Sequence, residues 1–145
     1  MMIKKITWGI TLLLTAVLAY LAYEYYQMQS LSLLPADKVN YLKVAADNFS
    51  TYGFIICFIS WVNTNIIAVK NNSTAWLWLP FIFTVMVSCV VSYQAEDIFL
   101  FNKANGMWKG GFSLSYFAGI VIILVAAVAL LINYFIVKAI IKKRL

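Results

Sequence analysis

A chain of 145 residues that is 64% hydrophobic and only 11% charged falls outside the soluble range, where about a quarter of residues carry charge. It has no histidine and two cysteines, which excludes haem ligation through imidazole, histidine-bearing zinc sites and imidazole acid–base chemistry. Its net charge of +6 sits mostly beside apolar segments, where it points to anionic lipid headgroups and not to nucleic acid.

Four apolar stretches without a single charged residue run over Ile6–Tyr23, Tyr52–Val69, Ala75–Tyr93 and Phe112–Val137. A helix needs about 20 apolar residues to cross roughly 30 Å of hydrocarbon, and a backbone in lipid must satisfy its own hydrogen bonds. The fold predicted is all-α: a polytopic membrane protein, one domain over residues 1–145, built as a four-transmembrane-helix bundle.

In chain order, Lys4 and Lys5 precede the first stretch, with Trp8 at its start and Tyr20, Tyr23, Tyr25 and Tyr26 at its far end. Such rings mark membrane interfaces. Val17-Leu18-Ala19 would serve as a signal-peptide cleavage site, yet the apolar run continues through Leu21 and Ala22, so a retained helix is expected. The loop that follows contains Leu34-Pro35-Ala36-Asp37, with proline at the first helical position and an acid in the first turn. Val39, Leu42, Ala46 and Phe49 then recur at helical spacing. They predict a short amphipathic helix over 36–48, in the first outer loop, lying on the membrane face or capping the bundle; an irregular loop is the alternative.

The second and third spans are joined by a turn at 70–74 and so form an antiparallel hairpin. Beyond the third span, Ile98-Phe99-Leu100-Phe101 leads into Asn105-Gly106 and then Met107-Trp108-Lys109 before Gly110-Gly111. Asn-Gly between apolar runs is a hairpin signal. Phe99, Phe101 and Trp108 on this loop need cover, from the first loop, from the interface or from a partner, and are the candidate partner surface. Glu96 and Asp97 read as a solvated loop start.

Charge placement orients the chain. Lys4, Lys5, Lys70, Lys138, Lys142, Lys143 and Arg144 fall on one side, and Lys38, Lys43, Lys103 and Lys109 on the other together with every acid in the chain. The excess of basic residues predicts both termini in the cytoplasm.

Helices associate in lipid through close packing and hydrogen bonds. Stripes of small residues mark the expected seams, with Gly53 and Cys57 on the second helix, Thr84 and Ser88 on the third and Gly119 on the fourth. Asn63, Asn65 and Asn133 are the strongest polar groups inside the spans and fall at similar depth. They form either a polar cluster that binds a ligand or lines a path, or plain interhelical hydrogen bonds. Cys57 and Cys89 also fall at similar depth, as a thiol pair or as two small buried apolar groups. No catalytic, metal or cofactor set is visible, and no Asp, Glu, Lys or Arg lies within a span, where proton relays and ion-coupled pumps place one.

The plan of four helices, termini inside, a long first outer loop, the inner turn Asn71-Asn72-Ser73-Thr74 and the basic end Ile140-Ile141-Lys142-Lys143-Arg144 resembles, in topology over the whole chain, the inner-membrane immunity proteins of pore-forming colicins. The resemblance implies a protein that meets a toxin's pore domain within the bacterial inner membrane. The expected function is a non-catalytic interaction protein, accessory subunit or immunity-type protein, whose partners are lipids and a membrane protein or toxin. The alternative is a small transporter or channel subunit in which the three asparagines and Ser88 line a neutral path.

Overall fold

The computed structural model describes residues 2–108, 111 and 113–144. Lys109, Gly110 and Phe112, and the side chains of Lys4 and Arg144, lie outside the described residues. The elements are α1 (Met2–Ser30), α2 (Pro35–Lys70), a single 3₁₀ turn (Ala75–Trp78), α3 (Leu79–Ala104) and α4 (Ser115–Arg144), with no strand among the described residues. Four helices, counting the 3₁₀ turn with α3, are each long and apolar enough to cross a membrane. The chain is an all-α membrane protein.

The predicted helix over 36–48 is helical, but it is the first third of α2 and not a separate element. The reason is phase. Val39, Leu42, Ala45, Phe49, Gly53, Ile56, Ser60, Thr64 and Ile67 are all buried, and their spacings of three and four residues make one unbroken stripe. Composition changes from amphipathic to wholly apolar near Tyr52, while the face that packs does not. A 36-residue helix is about 54 Å long at 1.5 Å per residue, so it clears the hydrocarbon at one end. Its start follows from Leu34, which is extended at φ −56° and ψ 143° because it precedes proline.

The hairpin expected around Asn105-Gly106 does not form. Gly106 adopts φ +67° as the residue just past the end of α3. Met107 N–H donates to the Asn102 carbonyl at 2.9 Å and Gly106 N–H to the Lys103 carbonyl at 3.2 Å, which is a Schellman cap. Asn-Gly signals a positive φ, and a helix end needs one as much as a hairpin does. The end of α2 uses the same device with Asn72 at φ 48° and Ser73 N–H donating to the Ala68 carbonyl at 3.0 Å.

Packing is centred on the antiparallel pair α2–α3, with α1 against α2 and α4 against α3. Leu18 and Leu21 of α1 join Phe49, Ile56, Phe83 and Val87 in one core, and Tyr25, Leu42 and Ala45 form a separate smaller one at the acidic end. Ala68, Leu77, Leu130, Val137 and Ile141 form a second core at the opposite end. Trp8 stands edge-on to Trp76 with ring centroids 5.6 Å apart, and Val137 and Ile141 pack with Ala68 and Leu77, so the start of α1, the 70–74 turn and the end of α4 share one end of the molecule. That basic end is completed by α4, and the acidic end, holding Asp37, Asp47, Glu96 and Asp97, by α1.

Candidate functional site

The seams are closer than small-residue spacing alone requires. A Cβ on Gly53 would stand 2.9 Å from a Val87 methyl, so α2 meets α3 here without room for any side chain. A Cβ on Gly119 would collide with the Ser92 hydroxyl and come within 3.5 Å of the Ser88 carbonyl oxygen, which sets the α3–α4 approach. Ser88 is buried as well. Cys57 is buried in the core that also holds Phe83 and Val87 of α3, and with Thr84 it borders an apolar groove of about 270 Å³ walled by Phe58, Trp61 and Leu130. The Thr84 hydroxyl donates to the Pro80 carbonyl at 2.8 Å, back along its own helix. Cys57 is buried and Cys89 exposed, both free, so the two thiols do not form a pair.

Of the three asparagines, two come together. Asn133 Nδ2 donates to Asn65 Oδ1 at 2.9 Å, tying α4 to α2 at the basic end. Asn63 is half-buried and takes no part in that bond. Thr64 bonds to the Ser60 carbonyl of its own helix. The Asn65–Asn133 pair therefore fastens one helix to another, a kind of bond that contributes about 0.6 kcal/mol on average in membranes.

Phe99, Phe101 and Trp108 fold back onto the acidic end. Phe99 meets Trp108 edge-to-face at 5.8 Å, and the Lys38 ammonium lies 5.4 Å from the centre of the Phe101 ring. Part of the cover they need comes from the chain itself, through aromatic and cation–π contacts. Trp108 remains 52% exposed.

One constellation was not visible in the sequence. The Tyr25 hydroxyl lies 2.8 Å from Asp97 Oδ2 and 3.2 Å from the Gln94 carbonyl. Gln29 Nε2 donates to the same Asp97 oxygen at 2.8 Å. Asp97 is thus a fastener between α1 and α3 and not a solvated loop residue. Tyr25 is 3% exposed, where an interface ring would be half in water. A signal existed: Leu18, Leu21 and Tyr25 share one face of α1, and Val87, Val91 and Gln94 share one face of α3. A glutamine in phase with a buried stripe announces a polar group beneath the surface.

Beside this network α2 and α3 leave a groove whose lining is mostly apolar, from Ala46, Val91 and Ile98, with Lys43, Asp47 and Ser50 at its edge. Among the described residues no three His, Cys, Asp or Glu side chains converge as a metal site. Comparison with family models, with characterised proteins and with solved structures finds no match.

Proposed function

We propose that the protein is a non-catalytic interaction protein of the bacterial inner membrane, with both termini in the cytoplasm, that recognises a partner in or beside the bilayer. The observation that carries this reading is the acidic end. Extensions of α1, α2 and α3 rise past the apolar spans and build a small cap with its own core of Tyr25, Leu42 and Ala45. That cap displays large apolar side chains at its rim, with Leu34 at 72%, Leu100 at 53% and Trp108 at 52% exposed. A rigid, hydrogen-bonded platform with an apolar rim has the make-up of a protein-binding surface. The excess of basic residues at the other end supports the orientation.

An immunity role is the form of this reading suggested by topology, with a pore-forming toxin as the partner. Photo-crosslinking from position 108 in native membranes tests the general reading. One discrete adduct, lost on Leu34→Ser or Leu100→Ser, is expected; adducts to lipid alone would contradict it. Deleting the protein should sensitise cells to one pore-forming toxin if the immunity form holds, and unchanged survival against such toxins would remove that form.

A further inference from the structure

At the basic end the 3₁₀ turn and α4 leave a groove of about 340 Å³, lined by Thr74, Trp78, Leu131, Tyr134 and Phe135. Trp78, Leu131 and Phe135 are exposed, so the groove opens sideways, toward lipid. Gly119 of α4 meets Ser92 of α3 and the two elements run antiparallel. At about 1.5 Å per residue, Thr74 therefore comes level with Val137 and Lys138. Leu77 and Val137 share a buried core, in keeping with that level. Two features there turn an apolar groove into a site. The Lys138 ammonium stands 5.6 Å from the centre of the Tyr134 ring, so a wall of the groove itself holds a cation at its mouth. On the facing element, the Thr74 hydroxyl has no hydrogen-bond partner among the described residues, and it is not enclosed as those of Ser60 and Ser88 are. Lys142 adds a second exposed cation one turn beyond Lys138, on the same helix face. Every acid of the chain lies toward the opposite end, so no carboxylate neutralises these lysines.

The charge and the walls together select the occupant. An ammonium and a hydroxyl both donate, so the ligand must bring an acceptor, and for Lys138 an anionic one. Below that level, walls of tryptophan, leucine and phenylalanine take hydrocarbon and reject polar groups. A phosphodiester joined to acyl chains has both parts, at the depth where a bilayer supplies it. We infer that this groove seats one anionic diacyl phospholipid, phosphatidylglycerol in chemical class, with its phosphate toward Lys138 and Thr74 and an acyl chain along Leu131 and Phe135. A zwitterionic headgroup would bring its own ammonium in among lysines with no carboxylate to meet it. Diffuse attraction of lysines for anionic lipid needs no groove and treats every lysine at this end alike; a seat does not. The inference requires the membrane placement and is independent of the protein partner proposed above, whose surface is at the acidic end.

Native mass spectrometry of the full chain, released from detergent with equimolar phosphatidylglycerol, phosphatidylethanolamine and phosphatidylcholine of matched chains, tests it. One retained equivalent of phosphatidylglycerol is expected, about tenfold above either zwitterionic lipid. Lys138→Gln and Thr74→Val should each reduce that preference about fivefold, whereas Lys143→Gln, on another face of α4, should leave it unchanged. Thr74→Val keeps the shape and removes no bond within the protein, so its melting temperature in detergent without added lipid should match that of the parent. Leu131→Trp, which fills the groove and keeps every charge, should abolish retention. Equal retention of a zwitterionic lipid, equal effects of Lys138→Gln and Lys143→Gln, or unaltered retention in Leu131→Trp would each overturn the assignment. Displacement of the lipid by millimolar free glycerol phosphate would overturn the groove as a seat for the chains; failure of that competition supports it.

Discussion

The two ends of this molecule are built from overlapping helices and are held together by different chemistry. At the acidic end a carboxylate accepts from a buried phenol and a glutamine, around a small apolar core of Tyr25, Leu42 and Ala45. At the basic end a neutral hydrogen bond crosses between helices, amide to amide from Asn133 to Asn65, beside an apolar core. The contrast follows from solvent. A charge needs water nearby, because ionised groups inside the bilayer are expensive, so Asp97 is usable only where the helices have left the hydrocarbon. Apolar burial drives association only where water is the alternative, so a core counts most at that same end. Inside the spans, close contact at Gly53 and Gly119 does that work instead.

Predictions that break or sharpen this contrast run from large to small. Leu42→Ala, at a site 1% exposed, should cost about 2–4 kcal/mol through lost burial and a residual cavity, read as a lower midpoint of denaturant unfolding in mild detergent. A loss under about 1 kcal/mol would mean the cap has no water-driven core. Gly119→Val should cost about 1–3 kcal/mol by forcing α4 from α3, while Gly9→Ala, with open space around it, should be neutral or stabilising; equal effects would deny the seam. Asp97→Ala should cost about 1–3 kcal/mol by removing the charged acceptor of Tyr25 and Gln29 and leaving the phenol only the longer bond to the Gln94 carbonyl, and a double-mutant cycle with Tyr25→Phe should show coupling. Additive losses would show that the hydrogen bond contributes nothing. Asn133→Leu should cost only about 0.6 kcal/mol, and a loss above 2 kcal/mol would make the amide pair the main fastener of the basic end.

The spans were legible because uncharged runs of that length have one stable form in lipid. Helix continuity was harder to read, since residues 36–48 are amphipathic and so look like a separate helix, and 94–104 look like loop by composition, while both keep the phase of the spans they extend. Asn105-Gly106 could be read only as a demand for positive φ, which a hairpin and a helix end make equally. The seams at Gly53 and Gly119 could be anticipated from small residues at helical spacing, because only those residues permit backbones to touch. Tyr25 and Asp97 could not be paired, since they lie 72 residues apart and each has an ordinary reading by itself. The third asparagine was misgrouped for a geometric reason: Asn63 and Asn65 are two positions apart, about 200° around a helix, and only one of them can face α4.

The central claim is that the acidic and basic ends stand in water on opposite sides of a membrane. With Cys57 and Cys89 replaced by alanine, single cysteines at Asn40 and Lys142, both exposed, are labelled in intact cells with a membrane-impermeant maleimide. Labelling is expected at position 40 before lysis and at position 142 only after it. Labelling of both before lysis, or of position 142 alone, would contradict it.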